Sequence, residues 1–236
     1  MRKKQLLRVD VLTIFPEMIN SYTSLSILGR AQKNKLLKVM AHDLRKWAID
    51  KHGHVDDRPF GGGPGMVMRV EPFYKALQTL KVKSRESRVA SGFKIKTRII
   101  LTSAKGRLFT QKDARRLARY DRLIFLCGRY EGVDERVANK LADEEISIGP
   151  YVLTGGELAA LTMLDAVARL RPGVLGAQES LDKESWDEEG ELEYPQYTRP
   201  EEFMKWKVPA VLLSGDHKKV EEWRRSKSCN MSRFLK

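Results

Sequence analysis

Hydrophobic positions recur along the chain with two different periods. Short runs rich in Val, Leu and Ile, each followed by proline, glycine or charged residues, predict five strands, over Arg8–Phe15, Leu36–His42, Arg98–Ser103, Arg122–Cys127 and Glu145–Ile148. Between them, apolar residues three and four positions apart predict helices over Glu17–Asn34, Glu71–Leu80, Gln111–Tyr120, Glu135–Leu141 and Glu157–Leu170. Strands that alternate with helices predict an α/β domain with a mostly parallel sheet over residues 1–170.

The remaining segments have a different character. His52–Gly65 contains five glycines and two prolines, which predicts neither regular element. Lys81–Thr97 is polar and basic, and we interpret it as a loop. Gln178–Glu193 is acidic and lies within a predicted linker over residues 171–193. Residues 194–236 form a predicted small C-terminal helical domain, because Glu201–Lys236 is basic with a helical pattern.

Composition narrows the class of protein. The 236 residues are 42% hydrophobic, and no run approaches the roughly 18 apolar residues that span a bilayer, so we expect no membrane association. Cys127 and Cys229 are far apart, which argues against a disulfide framework and favours the cytoplasm. The net charge of +13 favours a polyanionic partner such as nucleic acid.

Three glycine-bearing segments follow predicted strands. They are Ser103–Gly106, Gly128–Gly132 and Gly149–Gly156. In an open parallel sheet, ligands bind beyond the carboxyl ends of strands, and glycine lets backbone amides approach them closely. The three segments together predict a nucleoside pocket.

Other chemistries have weaker support in the sequence. No GxGxxG follows a strand, and no GK[ST] follows Gly61–Gly65, which disfavours dinucleotide and P-loop sites. The four histidines have no metal-binding spacing, and Cys127 ends an apolar strand as a small buried residue would.

Several longer motifs resemble one family, the bacterial tRNA (guanine-N1)-methyltransferases of the SpoU–TrmD (SPOUT) class. They include VDDRPFGGGPGM at Val55–Met66 and CGRYEGVDER at Cys127–Arg136. The others are Ser147–Leu158, Pro172–Gly176, Tyr194–Pro200 and Val208–His217. The resemblance implies an α/β fold with a deep trefoil knot, and a bent S-adenosylmethionine held by the three glycine-bearing segments. Carried over position by position, it implies donor contacts from Gly128, Tyr130, Glu131, Ile148, Gly149, Pro150, Tyr151, Val152, Leu153, Gly155 and Gly156. Pro150 stands where the family usually has aspartate.

The same resemblance implies methyl transfer to N1 of the guanosine 3′ of the anticodon, tRNA position 37. Neutral guanine N1 carries a proton, so attack needs a general base and a positive group near O6. The matching residues are Glu184 as the base, where the family has aspartate, and Arg169 as the cation. Asp182 stays open as an alternative base.

Further implied contacts concern the RNA and a second subunit. Asp56, Asp57, Arg58 and Ser180 are expected to bind the anticodon stem-loop, with Arg224 and Arg225 gripping the stem and Trp186 and Tyr197 as candidates for stacking. The family works as a homodimer with shared active sites. Its members depend on magnesium, so the resemblance implies magnesium as a possible cofactor. Two alternatives stay open, namely an RNA-binding relative without catalysis and a nucleotidase that uses the Gly61–Gly65 loop.

Overall fold

The computed structural model describes residues 6–82, 96–175 and 191–230. Residues 1–176 and 177–236 form two compact units. The first contains a five-stranded sheet, built from β1 (Leu7–Thr13), β2 (Leu37–Asp43), β5 (Thr97–Leu108), β6 (Arg122–Cys127) and β7 (Glu144–Ser147). Its order is β2-β1-β6-β5-β7 and every pairing is parallel, which confirms the predicted α/β class with a mostly parallel sheet.

Helices cover both faces of this sheet. They are α1 (Pro16–Thr23), α2 (Ser26–Lys33), α3 (Val70–Thr79), α4 (Gln111–Leu117) and α5 (Glu157–Ala168), together with a 3₁₀ turn at Leu44–Trp47 and a π-helical turn at Val137–Leu141. Alternate strand residues feed two buried clusters. Phe125 of β6 belongs to one, while its neighbours Ile124 and Leu126 belong to the other. Both faces of the sheet are therefore apolar, as its central strands require.

The helix predicted over Glu17–Asn34 is wrong as a single element. It breaks at Ser24–Leu25, and the Gln32 side-chain amide donates to the Thr23 carbonyl at 2.8 Å, which satisfies a group that the break leaves without a helical partner. Gly29 lies inside α2, where an added Cβ would stand 2.2 Å from the Ser24 carbonyl oxygen. The glycine permits close packing of the two helices instead of weakening one.

Two loop predictions also need correction. Ser103–Gly106 is not a loop after a strand, because β5 continues to Leu108 and its pairing with β7 shifts register between Thr102 and Arg107. Within the glycine-rich segment, Asp56–Asp57 (β3) pairs antiparallel with Val67–Met68 (β4). The segment between them is therefore the loop of a short hairpin.

The second unit is only partly helical. It contains β8 (Glu191–Leu192) paired with β11 (Cys229–Asn230), a hairpin of β9 (Glu202–Phe203) and β10 (Trp206–Lys207), and the helices α6 (Ala210–Leu213) and α7 (His217–Lys227). The helical pattern predicted from Glu201 onward thus begins with a strand pair.

In the described residues, no helix combines the length and the apolar character needed to cross a membrane.

Candidate functional site

A cavity of about 410 Å³ opens at the carboxyl ends of β5, β6 and β7. This is the edge at which open parallel sheets bind ligands, and the volume lies in the range of small-molecule sites. Three wall segments supply most of its lining: residues 101–105 of β5, residues 128–133 after β6 and residues 145–156 around and after β7. The cavity therefore forms where the sequence places its glycine-bearing segments.

The segment after β6 is held by the guanidinium of Arg129. Its Nε donates to Glu157 Oε2 at 3.0 Å, and its Nη1 donates to the Thr154 carbonyl at 3.2 Å. The guanidinium also lies 4.6 Å from the centroid of the Phe15 ring. Glu157 is fully buried and accepts a second hydrogen bond, from the Thr13 hydroxyl at 2.6 Å. This network connects β1, the segment after β6 and the first turn of α5, and its members Arg129 and Thr154 line the cavity.

Glycines let the segments after β6 and β7 approach each other. The Gly156 N–H donates to the Gly128 carbonyl at 2.9 Å. A Cβ on Gly156 would lie 1.9 Å from the Thr102 hydroxyl oxygen and 3.0 Å from the Cα of Cys127, and one on Gly155 would lie 2.2 Å from Arg129 Nε. No side chain fits at these two positions without displacing a cavity wall.

The segment after β7 is shaped by its own side chains. The Ser147 hydroxyl donates to the Gly149 carbonyl at 2.9 Å, and the Tyr151 hydroxyl donates to the Ile148 carbonyl at 3.3 Å. The Tyr151 ring occupies the space that a Cβ on Gly149 would need, with an approach of 2.1 Å. The ring thus folds back on its own loop.

The β3–β4 hairpin joins the site through the segment after β6. The Glu131 N–H donates to the Met66 carbonyl at 3.0 Å, and the Met68 N–H donates to the Gly132 carbonyl at 2.9 Å. Burial raises the pKa of the Tyr130 phenol, and the Asp56 carboxylate on the hairpin raises it further. Asp56 therefore lies near a residue of the cavity lining.

Charged side chains border the outer side of the cavity. Lys105, on the irregular part of β5, forms an ion pair with Glu135, and its Nζ lies 4.0 Å from Glu145. All three residues line the cavity. The Lys105 ammonium has a raised pKa because of Glu135, so it stays protonated at neutral pH.

Cys127 has no nucleophilic character in this setting. Burial, with the Glu157 carboxylate nearby, raises the pKa of its thiol well above the ordinary value. The interpretation of Cys127 as a small buried residue is confirmed, because the protonated thiol is a poor nucleophile.

The predicted donor contacts converge on the cavity. All of them line it except Pro150, which lies between the lining residues Gly149 and Tyr151. Asp57 and Arg58 are exposed on the hairpin. Arg169 caps the carboxyl end of α5, whereas Gly156 and Ala159 at the other end of this helix line the cavity. Ser180, Asp182, Glu184 and Trp186 lie outside the described residues.

Sequence reasoning missed the residues that hold the site together. Arg129 and Glu157 lie inside the motifs quoted above but were given no role, and Thr13 lies in none of them. A charged residue directly beside a loop glycine is a signal that could have singled out Arg129 and Glu157.

The residues that line the cavity fit a small organic ligand better than a metal ion. Close-packed glycines, the apolar side chains of Ile148 and Leu153 and the charged residues at the border suit a nucleoside ligand with a charged end. Among residues 6–82, 96–175 and 191–230, no three His, Cys, Asp or Glu side chains cluster as a metal site would need. The described residues therefore assign no place to magnesium.

Comparison with known proteins supplies the family. The sequence model of the family described as "tRNA (Guanine-1)-methyltransferase TrmD" matches residues 7–235. A relative in Citrifermentans bemidjiense, named tRNA (guanine-N(1)-)-methyltransferase, is 49% identical over 93% of this chain and 84% of its own. Relatives of the same name in Ruminiclostridium cellulolyticum and Dictyoglomus turgidum are each 48% identical, over 96% and 98% of this chain and 93% and 88% of their own.

Proposed function

The chain belongs to the tRNA (guanine-N1)-methyltransferase family, as its motifs predicted, and we propose that it methylates N1 of guanosine 37 in tRNA with S-adenosylmethionine as donor. The observation that carries this proposal is the cavity at the carboxyl ends of β5, β6 and β7. Its walls contain the residues that the family resemblance assigns to the donor, and glycines bring those walls together.

The proposed donor contacts are mainly backbone groups. Gly128, Ile148, Gly149 and Leu153 line the cavity and are proposed to contact the donor through their backbone, and Tyr130 and Glu131 through their side chains. The donor supplies a methyl group on a positively charged sulfur, which makes its carbon electrophilic. Because backbone groups dominate, the change from aspartate to Pro150 is compatible with binding.

The acceptor chemistry is assigned to a carboxylate and a guanidinium. In the proposed reaction, Glu184 accepts the N1 proton of guanine, and N1 forms a bond to the methyl carbon as the bond from that carbon to sulfur breaks, with its electron pair remaining on sulfur. Arg169 lies near O6 and stabilises the negative charge that develops there. Asp182 is the alternative base, and Ser180 a further substrate contact.

The position of Arg169 supports a shared active site. It follows the last residue of α5, whose first residue, Glu157, comes directly after the cavity-lining residue Gly156. Twelve helical residues at 1.5 Å each separate the two ends by about 18 Å. Arg169 is therefore proposed to serve the cavity of a second copy of the chain, which makes the enzyme a homodimer.

Exposed apolar side chains near α5 fit such a dimer. Leu158 on α5, Tyr22 on α1 and Leu25 between α1 and α2 are about half exposed or more. The raised pKa of Tyr22, caused by Asp165, places the Tyr22 and Asp165 side chains together. Apolar residues grouped on adjacent helices are typical of a surface that a partner covers.

Other parts of the proposal rest on the family. The trefoil knot is one of them, while the division into residues 1–170, 171–193 and 194–236 and action in the cytoplasm rest on the sequence pattern and the cysteine content. Arg225 on α7 is exposed and is proposed to bind phosphates of the anticodon stem. Arg224 instead lies 4.9 Å from the centroid of the Tyr194 ring, and Tyr197 packs near Trp223, so these side chains contribute to packing within the second unit.

Methyl transfer to unmodified tRNA transcripts tests the function. With labelled donor, the protein should methylate a transcript with guanosine at position 37 and should leave its matched adenosine-37 transcript unlabelled. The labelled product should be 1-methylguanosine on nucleoside analysis. Donor binding measured by calorimetry together with no methyl transfer to either RNA would contradict the proposal.

A further inference from the structure

The β3–β4 hairpin is a rigid extension of the cavity wall. Its strands pair at Asp56↔Met68 and Asp57↔Val67, and the Arg69 N–H donates to the Val55 carbonyl at 2.8 Å. Met68 is fully buried, and its carbonyl accepts a hydrogen bond from the Asp134 N–H at 2.9 Å. The stem of the hairpin is therefore fixed to the segment that follows β6.

The loop of this hairpin has the opposite character. Phe60 is fully exposed, at 101% of its reference area, the highest value among the large apolar side chains of the described residues. The three glycines after it have φ of +86°, +79° and +118°, and a Cβ added to any of them would touch nothing within 4 Å. These glycines are needed for their backbone conformation and not for close packing. The Phe60 ring likewise packs against nothing in the described residues, so it does not contribute to their core.

The loop returns directly to the cavity. A Cβ on Gly65 would lie 2.4 Å from the side chain of Glu131, which lines the cavity, so the two segments are in close contact there. Only four residues separate Phe60 from Gly65, and the side chain of Arg58, two residues before Phe60, is exposed. An exposed aromatic ring and an exposed guanidinium thus lie two residues apart on the loop that returns to the cavity wall.

We propose that Phe60 stacks on a base of the RNA substrate adjacent to the target guanosine, and so holds the RNA open while that guanosine enters the cavity. The inference rests on the proposed function, because a stacked base must leave its neighbours before its N1 can be reached. Aromatic side chains next to cationic ones are the usual means of holding unstacked bases, and they accept any base. Arg58 then contacts the adjacent phosphate.

Substitutions of Phe60 that distinguish the effect of an aromatic ring from that of side-chain size test this inference. Phe60→Ala should lower kcat/KM for tRNA by about 5- to 150-fold, the range that loss of one base–aromatic stack produces. Phe60→Tyr and Phe60→Trp should keep kcat/KM near the wild-type value, whereas Phe60→Leu should lower it. The donor Kd should stay within about twofold of wild type in every variant, which shows that the cavity is intact. Tyr74→Ala removes an exposed aromatic on α3 that does not line the cavity, and serves as the matched control.

A direct readout of base opening completes the experiment. A transcript with 2-aminopurine at the position 3′ of guanosine 37 should brighten on binding to the wild-type protein and less on binding to Phe60→Ala. Equal fluorescence and equal kcat/KM in wild type and Phe60→Ala would overturn the inference, as would full activity in Phe60→Leu. A Phe60→Ala protein that dissociates into monomers in sedimentation would instead assign the ring to contact between copies of the chain. Failure of the wild-type protein to methylate any tRNA would be a failure of the proposed function.

Discussion

The guanidinium of Arg129 forms an ion pair with the buried carboxylate of Glu157, with Nε 3.0 Å from Oε2, that joins the segment after β6 to the first turn of α5. Because Arg129 also donates to the Thr154 carbonyl, the pair sets the relative position of two cavity walls. Because Arg129 and Thr154 line the cavity, we expect both stability and donor affinity to depend on this pair.

Removal of the Glu157 carboxylate should therefore affect both properties. Glu157→Ala leaves the Arg129 guanidinium and the Thr13 hydroxyl without their acceptor, and we expect the free energy of unfolding to fall by about 3–5 kcal/mol. Glu157→Gln keeps the shape and should cost less stability, with a weaker donor affinity because Arg129 is held less firmly. Urea unfolding and calorimetry with S-adenosylmethionine measure the two effects. Glu17→Gln, an exposed carboxylate on α1, is the control, and an unchanged donor Kd in Glu157→Gln would refute the positioning role.

Substitution of Glu184 should abolish chemistry and spare binding. Glu184→Ala is expected to lower the rate of methyl transfer by at least about 100-fold, the contribution of a general base, with the donor Kd nearly unchanged. Glu184→Asp restores the residue usual in the family and should be active. Single-turnover assays with tRNA measure the rate. Full activity of Glu184→Ala together with loss in Asp182→Ala would move the base to Asp182.

Mixed dimers should show that Arg169 acts on the partner's cavity. Ala104→Trp fills the cavity from an exposed lining position, and it should abolish donor binding in its own copy only. A dimer of one Ala104→Trp copy with one Arg169→Ala copy then keeps one cavity that receives an intact Arg169. We expect about half the wild-type activity from purified mixed dimers with two different tags. An inactive mixed dimer would place Arg169 at its own cavity.

The free energy of unfolding should fall in acid because the carboxylate of Glu144, on β7, becomes protonated. Burial alone would raise the pKa of Glu144, but hydrogen bonds from Arg116, Arg107 and Arg98 lower it from 4.5 to about 2. A carboxylate whose pKa is lower in the folded than in the unfolded state stabilises the folded state, and this stabilisation is complete above the pKa of the unfolded state. That contribution is lost as the pH falls from about 4.5 to about 2.

Glu144→Gln isolates this contribution. Because the arginines are partly exposed, we expect the variant to lose about 2 kcal/mol of unfolding free energy at pH 7. The difference from wild type should shrink towards pH 2, where the protonated Glu144 resembles glutamine. Urea unfolding at several pH values measures it, with Glu17→Gln as control. A difference that stays constant between pH 7 and pH 2 would contradict the assignment.

The local sequence pattern was sufficient to predict strands in which consecutive residues are buried. The strand over Arg122–Cys127 was predicted with its observed bounds because a short apolar run buried on both faces has no other stable place in an α/β fold. The family motifs identified the lining of the cavity, since backbone contacts at glycine-bearing loops leave a recognisable pattern.

Long-range contacts decided the elements that local pattern missed. The break between α1 and α2 depends on the bond from Gln32 to Thr23, nine residues apart, and the irregular end of β5 depends on its register with Ile146. Neither partner can be inferred from the spacing of apolar residues. Periodicity reports which face of an element is buried and not what that face meets.

By itself, the amino-acid sequence determined the α/β class, the central strands, the family and the glycine-bearing segments at the ligand edge. Only the tertiary structure decided that Thr13, Arg129 and Glu157 form one hydrogen-bonded network, that Phe60 is fully exposed, and that Arg169 lies at the far end of α5 from the residues of that helix that line the cavity. The physical reason is distance along the chain. The hydroxyl of Thr13 and the carboxylate of Glu157 are 144 residues apart, and a hydrogen bond between them exists only after the sheet has brought their strands and helices together.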